Sequence, residues 1–121
     1  MAFKINTIPI WKNTQVGAKG TAGTALSDTI DLRDIAAVGS FSLTYSIAGT
    51  NGGTAGSTTF ESLGCATASG TFVTLGTFGT QGAAAVSGVV AFTPPVIPFM
   101  KIKAVSGTSN PALLTAELNV R

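Results

Sequence analysis

Between Ser40 and Ala48 the sequence places Phe41, Leu43, Tyr45 and Ile47 at every second position, with Ser42, Thr44 and Ser46 between them. A period of two sends the large apolar side chains to one face of an extended strand and the small hydroxyl residues to the other. Such a strand belongs in a sheet that buries one face and wets the other, which is the habit of antiparallel sheets. The same alternation recurs to the end of the chain, and nowhere does a helical period replace it. The sequence therefore predicts an all-β domain.

Strands are expected over residues 26–32, 40–48, about 57–63, 71–75, 85–92, 99–105 and 113–120, and turns over the glycine-rich runs between them. Their number, about seven or eight, and their spacing predict an antiparallel β-sandwich or jelly roll. The last two strands read as a hairpin with a long turn through Ser106 to Pro111. The first segment, Phe3 to Trp11, alternates imperfectly and contains Pro9, which cannot donate to a ladder, so it reads as an edge strand or an extended arm. With the flexible run Gly17 to Thr24 behind it, residues 1–24 are expected to form an N-terminal arm, and residues 25–121 the β-sandwich domain.

The 121 residues suit one core. Charged residues make up 10% of the chain and the mean hydropathy is +0.44, so part of the surface is expected to be covered by other protein. The net charge of +2 is too small to imply a nucleic-acid or membrane partner. Cys65 has no second cysteine to pair with, and neither a signal peptide nor an apolar run of about 20 residues is found, so synthesis in the cytoplasm is expected.

Side chains that carry chemistry are scarce. Histidine, the usual base for an activated nucleophile, is absent. Glu61 and Glu117 could serve as a hydrolytic pair only if the fold joined them. Asp28, Asp31 and Asp34 could ligate calcium, but their spacing is not that of an EF-hand, and turn-capping carboxylates beside Arg33 are the simpler reading. Lys101 and Lys103 share a face with Phe99, a combination that could hold a nucleic-acid strand, although lysines guarding a sheet edge explain them as well. No catalytic residue, cofactor or metal is assigned, and the chain reads as non-enzymatic.

Taken together, Ile30-Asp31-Leu32, the alternating strand ending Ala48-Gly49, Gly70-Thr71-Phe72, Pro98-Phe99-Met100-Lys101-Ile102-Lys103 and the closing Leu118-Asn119-Val120-Arg121 form a familiar pattern. It resembles the small β-sandwich structural proteins of tailed bacteriophages, which decorate heads or occur in tails and fibres. The likeness is one of texture and order and spans residues 26–121. It implies a virion component, most simply a capsid decoration or cement protein, made in the bacterial host cytoplasm and assembled as symmetric copies, with a trimer favoured. A carbohydrate- or receptor-binding module of a tail or fibre, and a self-assembling bacterial filament or shell protein, are the alternatives.

Contacts with other copies or with a major capsid protein are expected at two places. Ile5, Ile8, Ile10 and Trp11 on the arm could add along a neighbour's sheet edge, with Trp11 an anchor packing into its own domain or a neighbour. The stiff segment of Pro94, Pro95, Val96, Ile97, Phe99 and Met100 would lose little entropy on docking.

Overall fold

A computed structural model of the chain describes residues 6–17, 23–33, 41–49, 58–81, 86–93, 97–106 and 112–120. Among them are nine strands and no helix. They are β1 (Asn6–Val16), β2 (Thr24–Leu26), β3 (Ile30–Asp31), β4 (Phe41–Gly49), β5 (Thr58–Cys65), β6 (Val73–Gln81), β7 (Val86–Phe92), β8 (Phe99–Ser106) and β9 (Ala112–Val120). Two antiparallel sheets result, one ordered β1-β9-β4-β7 and the other β2-β8-β5-β6, with β3 also on β8.

The alternation in β4 does what its pattern dictates. Leu43, Tyr45 and Ile47 are buried, and their in-register partners Leu118, Ala116 and Leu114 on β9 are buried beside them. The other sheet answers with Phe60 from β5 and Met100, Ile102 and Ala104 from β8, all in the same cluster. Because each strand offers one apolar face, the two sheets bury those faces against each other, and this interlayer is the core. Tyr45 and Phe60 meet across it at 5.3 Å between ring centroids.

Aromatic contacts continue from there along one end of the core. Phe60 packs on Phe78 at 6.2 Å, Phe78 stacks on Phe92 at 4.0 Å, and Phe92 meets Phe41 at 5.7 Å. The run starts and finishes on β4 and passes through β5, β6 and β7, so it ties both sheets together where β6 and β7 lie opposite each other. Gly88 belongs to this packing: a Cβ there would lie 2.7 Å from the Tyr45 hydroxyl, so any side chain would displace the ring.

Three expectations change. The strand expected at 26–32 is broken into β2 and β3, both on the same edge of β8. Ser27 sits at the break: its N–H donates to the Ile102 carbonyl at 2.9 Å, and its Oγ accepts the Ile102 N–H at 2.9 Å. The hydroxyl thus stands in for a backbone carbonyl while Asp28 and Thr29 bulge outward. The expected terminal hairpin does not form, since β8 and β9 lie in different sheets. Alternation shows that both strands have an apolar face, but two such faces can be satisfied side by side or across the core. Finally, β6 runs on to Gln81 through glycines expected to be loose, held by β5 through two register shifts.

Ser27→Ala removes the hydroxyl that accepts the buried Ile102 N–H and is expected to destabilise the chain by about 1–3 kcal/mol. Urea denaturation measures the loss; an unchanged midpoint would mean that the Ile102 amide finds another partner.

Candidate interaction surface

The N-terminal segment is joined to the body. Asn6 to Val16 pairs with β9 over its length, and the register places Ile8 against Leu118 and Trp11 against Ala116. Trp11 and Val16 are buried in the chain's own core, and Ile8 and Ile10 pack against it half-buried. Of the two readings of Trp11, packing into its own domain is the one observed, and its assignment as a contact residue gives way to burial: a ring of this size on the core face of β1 fills the end of the interlayer. Of the two readings the proline allowed, the edge strand is the one observed, with Pro9 on the outermost strand, where a missing N–H costs no ladder bond. Ile5 and residues 18–22 lie outside the described residues.

The second expected contact segment divides similarly. Pro94, Pro95 and Val96 lie outside the described residues. Ile97 packs half-buried against the core, while Phe99 and Met100 are buried at 6% and 0% exposure. Their burial corrects their assignment to a contact surface. Met100 points into the interlayer with Ile102 and Ala104, whereas Phe99 lies on the outer side of β8 beneath Arg33, whose guanidinium carbon is 4.7 Å from the ring centroid.

Arg33 is itself held by Asp31. Its Nε and Nη2 donate to the two carboxylate oxygens at 3.0 and 2.8 Å, and its backbone N–H donates to Oδ1 at 3.0 Å. Those side-chain bonds first, then the backbone bond, pull the Asp31 pKa from 3.8 to about 2. Asp28 is exposed at the bulge, Asp34 lies outside the described residues, and no group of three metal-ligating side chains occurs among the described residues. The turn-capping reading is the one that Asp31 adopts.

The lysines have a different explanation from the one expected. β8 is interior to its sheet, between β2 and β5, so Lys101 and Lys103 do not guard an edge. Lys103 faces Glu61 on β5, with Nζ 3.5 Å from the carboxylate, and the Lys101 ammonium sits 4.7 Å over the Phe72 ring. Phe99 is covered, so the stacked-base arrangement is not present either. Glu61 and Glu117 belong to different sheets, where each sits among the outward positions of its strand, and they are not brought together. Cys65 is half-buried with its sulfur 3.9 Å from the Thr67 hydroxyl.

What remains outward is a broad, sparsely charged face on the first sheet, with Lys12 exposed on β1. Thr7 donates to Asn119 Oδ1 at 3.0 Å, and Asn119 Nδ2 donates to Thr44 Oγ1 at 2.8 Å, a side-chain ladder over β1, β9 and β4. Ser46, Ser87, Val89 and Ala91 extend the face to β7, with Glu117 its charged member on β9. Among the described residues, shallow clefts open where the edges of the sheets part. One of about 230 Å³ lies between β1 and the β2–β3 edge and is lined by Ile8, Ile10, Asp28 and Ile30. Another, about 170 Å³, opens between β6 and β7 beside the Phe78–Phe92 stack. Val89, 66% exposed, was not singled out from the sequence, because alternation does not reveal which strand lies at an edge.

Trp11 Nε1 is buried with no acceptor among the described residues. Trp11→Ala is expected to cost about 3–5 kcal/mol in urea denaturation, while Trp11→Phe, which keeps a ring and deletes the unpaired donor, costs much less. Equal losses, or a small loss for alanine, would remove Trp11 from the core. The Asp31 contribution to stability is whole above 3.8 and lost as pH falls through about 2, because protonation breaks the Arg33 pairing. Wild type and Asp31→Asn should differ at neutral pH and converge in strong acid; a constant difference in acid titrations followed by circular dichroism would contradict this. No family model and no curated protein matches the chain.

Proposed function

We propose that this chain is a non-enzymatic structural protein of a virion, a capsid decoration or cement protein that binds the shell and neighbouring copies after synthesis in a bacterial host. The observation that carries the reading is the wide outer face of the first sheet, where small hydroxyl, amide and apolar side chains surround few charges, Glu117 among them, and which reaches exposed Val89 on the edge strand β7. Broad surfaces of small side chains with few charges suit extended protein contact and offer little to orient a small substrate. Within the chain, Asp31 already pairs with Arg33, Glu61 with Lys103, and Lys101 with Phe72.

The architecture we assign is a jelly-roll sandwich. With β2 and β3 counted as one strand kinked at Ser27, the sheets take two four-stranded orders in which all but one of the connections pass between sheets. That order supports the assignment, because double Greek keys wind in this way. Many weak contacts of such a domain on a symmetric lattice add up through multivalency.

The carbohydrate-binding alternative requires an aromatic platform. Among the described residues Trp11 and Tyr45 are buried, Phe78 stacks on Phe92, and Phe72 lies under Lys101, which favours the structural reading. A bacterial filament or shell protein would use the same surface with a different lattice.

Sedimentation velocity of the intact chain over a concentration series tests the proposal. Self-association that grows with concentration is expected; a monomer throughout that binds glycans in a saturable manner would overturn it.

A further inference from the structure

Of the sheet edges, three are spoiled for pairing with another chain. β1 carries Pro9, two register shifts against β9 and Asn13 at a left-handed φ of 47°. The edge opposite β8 is broken at Ser27 between β2 and β3. β6 meets β5 through two register shifts. Prolines, bulges and broken strands are the devices that keep sheet edges from pairing.

β7 has none of them. Its register with β4 is unbroken from Phe41↔Phe92 to Ile47↔Val86, and it contains neither proline nor a charged residue. β4 is its one sheet neighbour among the described residues. Val89, the most exposed of the large hydrophobic side chains described, sits at its midpoint.

Resting on the assembly reading above, we propose that β7 pairs antiparallel with β7 of a second copy of this chain, with the two-fold axis at Val89. The strand's own composition selects this occupant. An antiparallel pair of identical strands sets each residue against its symmetry mate, so a charge near the axis would face its own copy, and β7 has none. A charged partner segment would find no counter-charge on the strand. About Val89, the exposed row Ser87, Val89, Ala91 is small-large-small, so Val89 meets Val89 and Ser87 meets Ala91. On the inner side Gly88 faces Val90, again a small residue against a large one. The pairing fuses the first sheets of two copies into one continuous sheet and extends their outer face across the axis through strands that carry no charge of their own.

One strand edge is smaller than a standard interface, so the pairing is weak in dilute solution and gains strength from repetition on a lattice. A register-specific crosslink detects it. In the full chain with Cys65→Ser, Val89→Cys places two thiols on directly opposite residues, whose Cα atoms are about 4.5–5.5 Å apart in antiparallel pairs and within disulfide reach. Ser87→Cys places them four residues out of register, roughly 14 Å apart and beyond reach. Mild oxidation is expected to give covalent dimer from Val89→Cys and none from Ser87→Cys, and Val89→Lys is expected to lose the dimer in sedimentation. Equal crosslinking of the two cysteine variants, or none from either at millimolar protein, would overturn the pairing. If the wild type associates but neither crosslinks, the assembly reading stands and the β7 edge is excluded; a wild type that neither associates nor crosslinks removes both.

Discussion

The aromatic run from Tyr45 through Phe60, Phe78 and Phe92 back to Phe41 is what keeps two thin sheets in one register. Several buried positions of this protein are small, Ala25, Ala104 and Ala116 together with Ser27, Thr58, Ser62 and Ser106. Large rings supply contact area that these residues cannot, and stacked or tilted pairs contribute about 0.5–1.5 kcal/mol each beyond burial. Because the run begins and ends on β4, displacing any ring affects both layers. Gly88 exists in β7 to make room for Tyr45, so the edge strand is shaped by the core beneath it.

From that constraint follows the division between covered and open edges. At one side of the molecule Trp11 fills the interlayer and holds β1 to β9, while Ser27 stitches the kinked β2–β3 edge to Ile102. The outer side of the second sheet is finished by paired charges and capped rings, Arg33 over Phe99 and Lys101 over Phe72. At the other side the Phe78–Phe92 stack secures β6 and β7 from within but leaves the outer edge of β7 without a neighbour among the described residues. A chain with 10% charged residues has few side chains with which to protect such an edge.

Sequence reading reached as far as its physical signal allowed. Strands β4, β7, β8 and β9 are legible within a residue or two, because alternation over seven or more positions leaves little choice of conformation. The same signal does not tell which sheet a strand joins. Hence β8 and β9 read as a hairpin, and Lys101 and Lys103 read as edge residues although β8 is interior. Whether Trp11 anchors in its own domain or in a neighbour is open in the sequence, because its segment holds a proline and is followed by glycines. Only the register with β9 shows that two bulges let that strand bend and still deliver the ring to the core. The Ser27 break was hidden because a hydroxyl substituting for a carbonyl has no pattern in one dimension. Asp31 and Arg33, two residues apart, were legible as a turn because the interaction is local.

The central claim is that residues 6–16 belong to the chain's own sheet and that association, where it occurs, is left to β7. Amide hydrogen exchange of the intact protein, at low and at high concentration, tests it most directly. The account predicts protection in β1 that is the same at both concentrations, with protection in β7 increasing as the protein is concentrated. Protection of β1 that arises only at high concentration, with β7 unchanged, would contradict it and make the N-terminal segment an arm shared between copies.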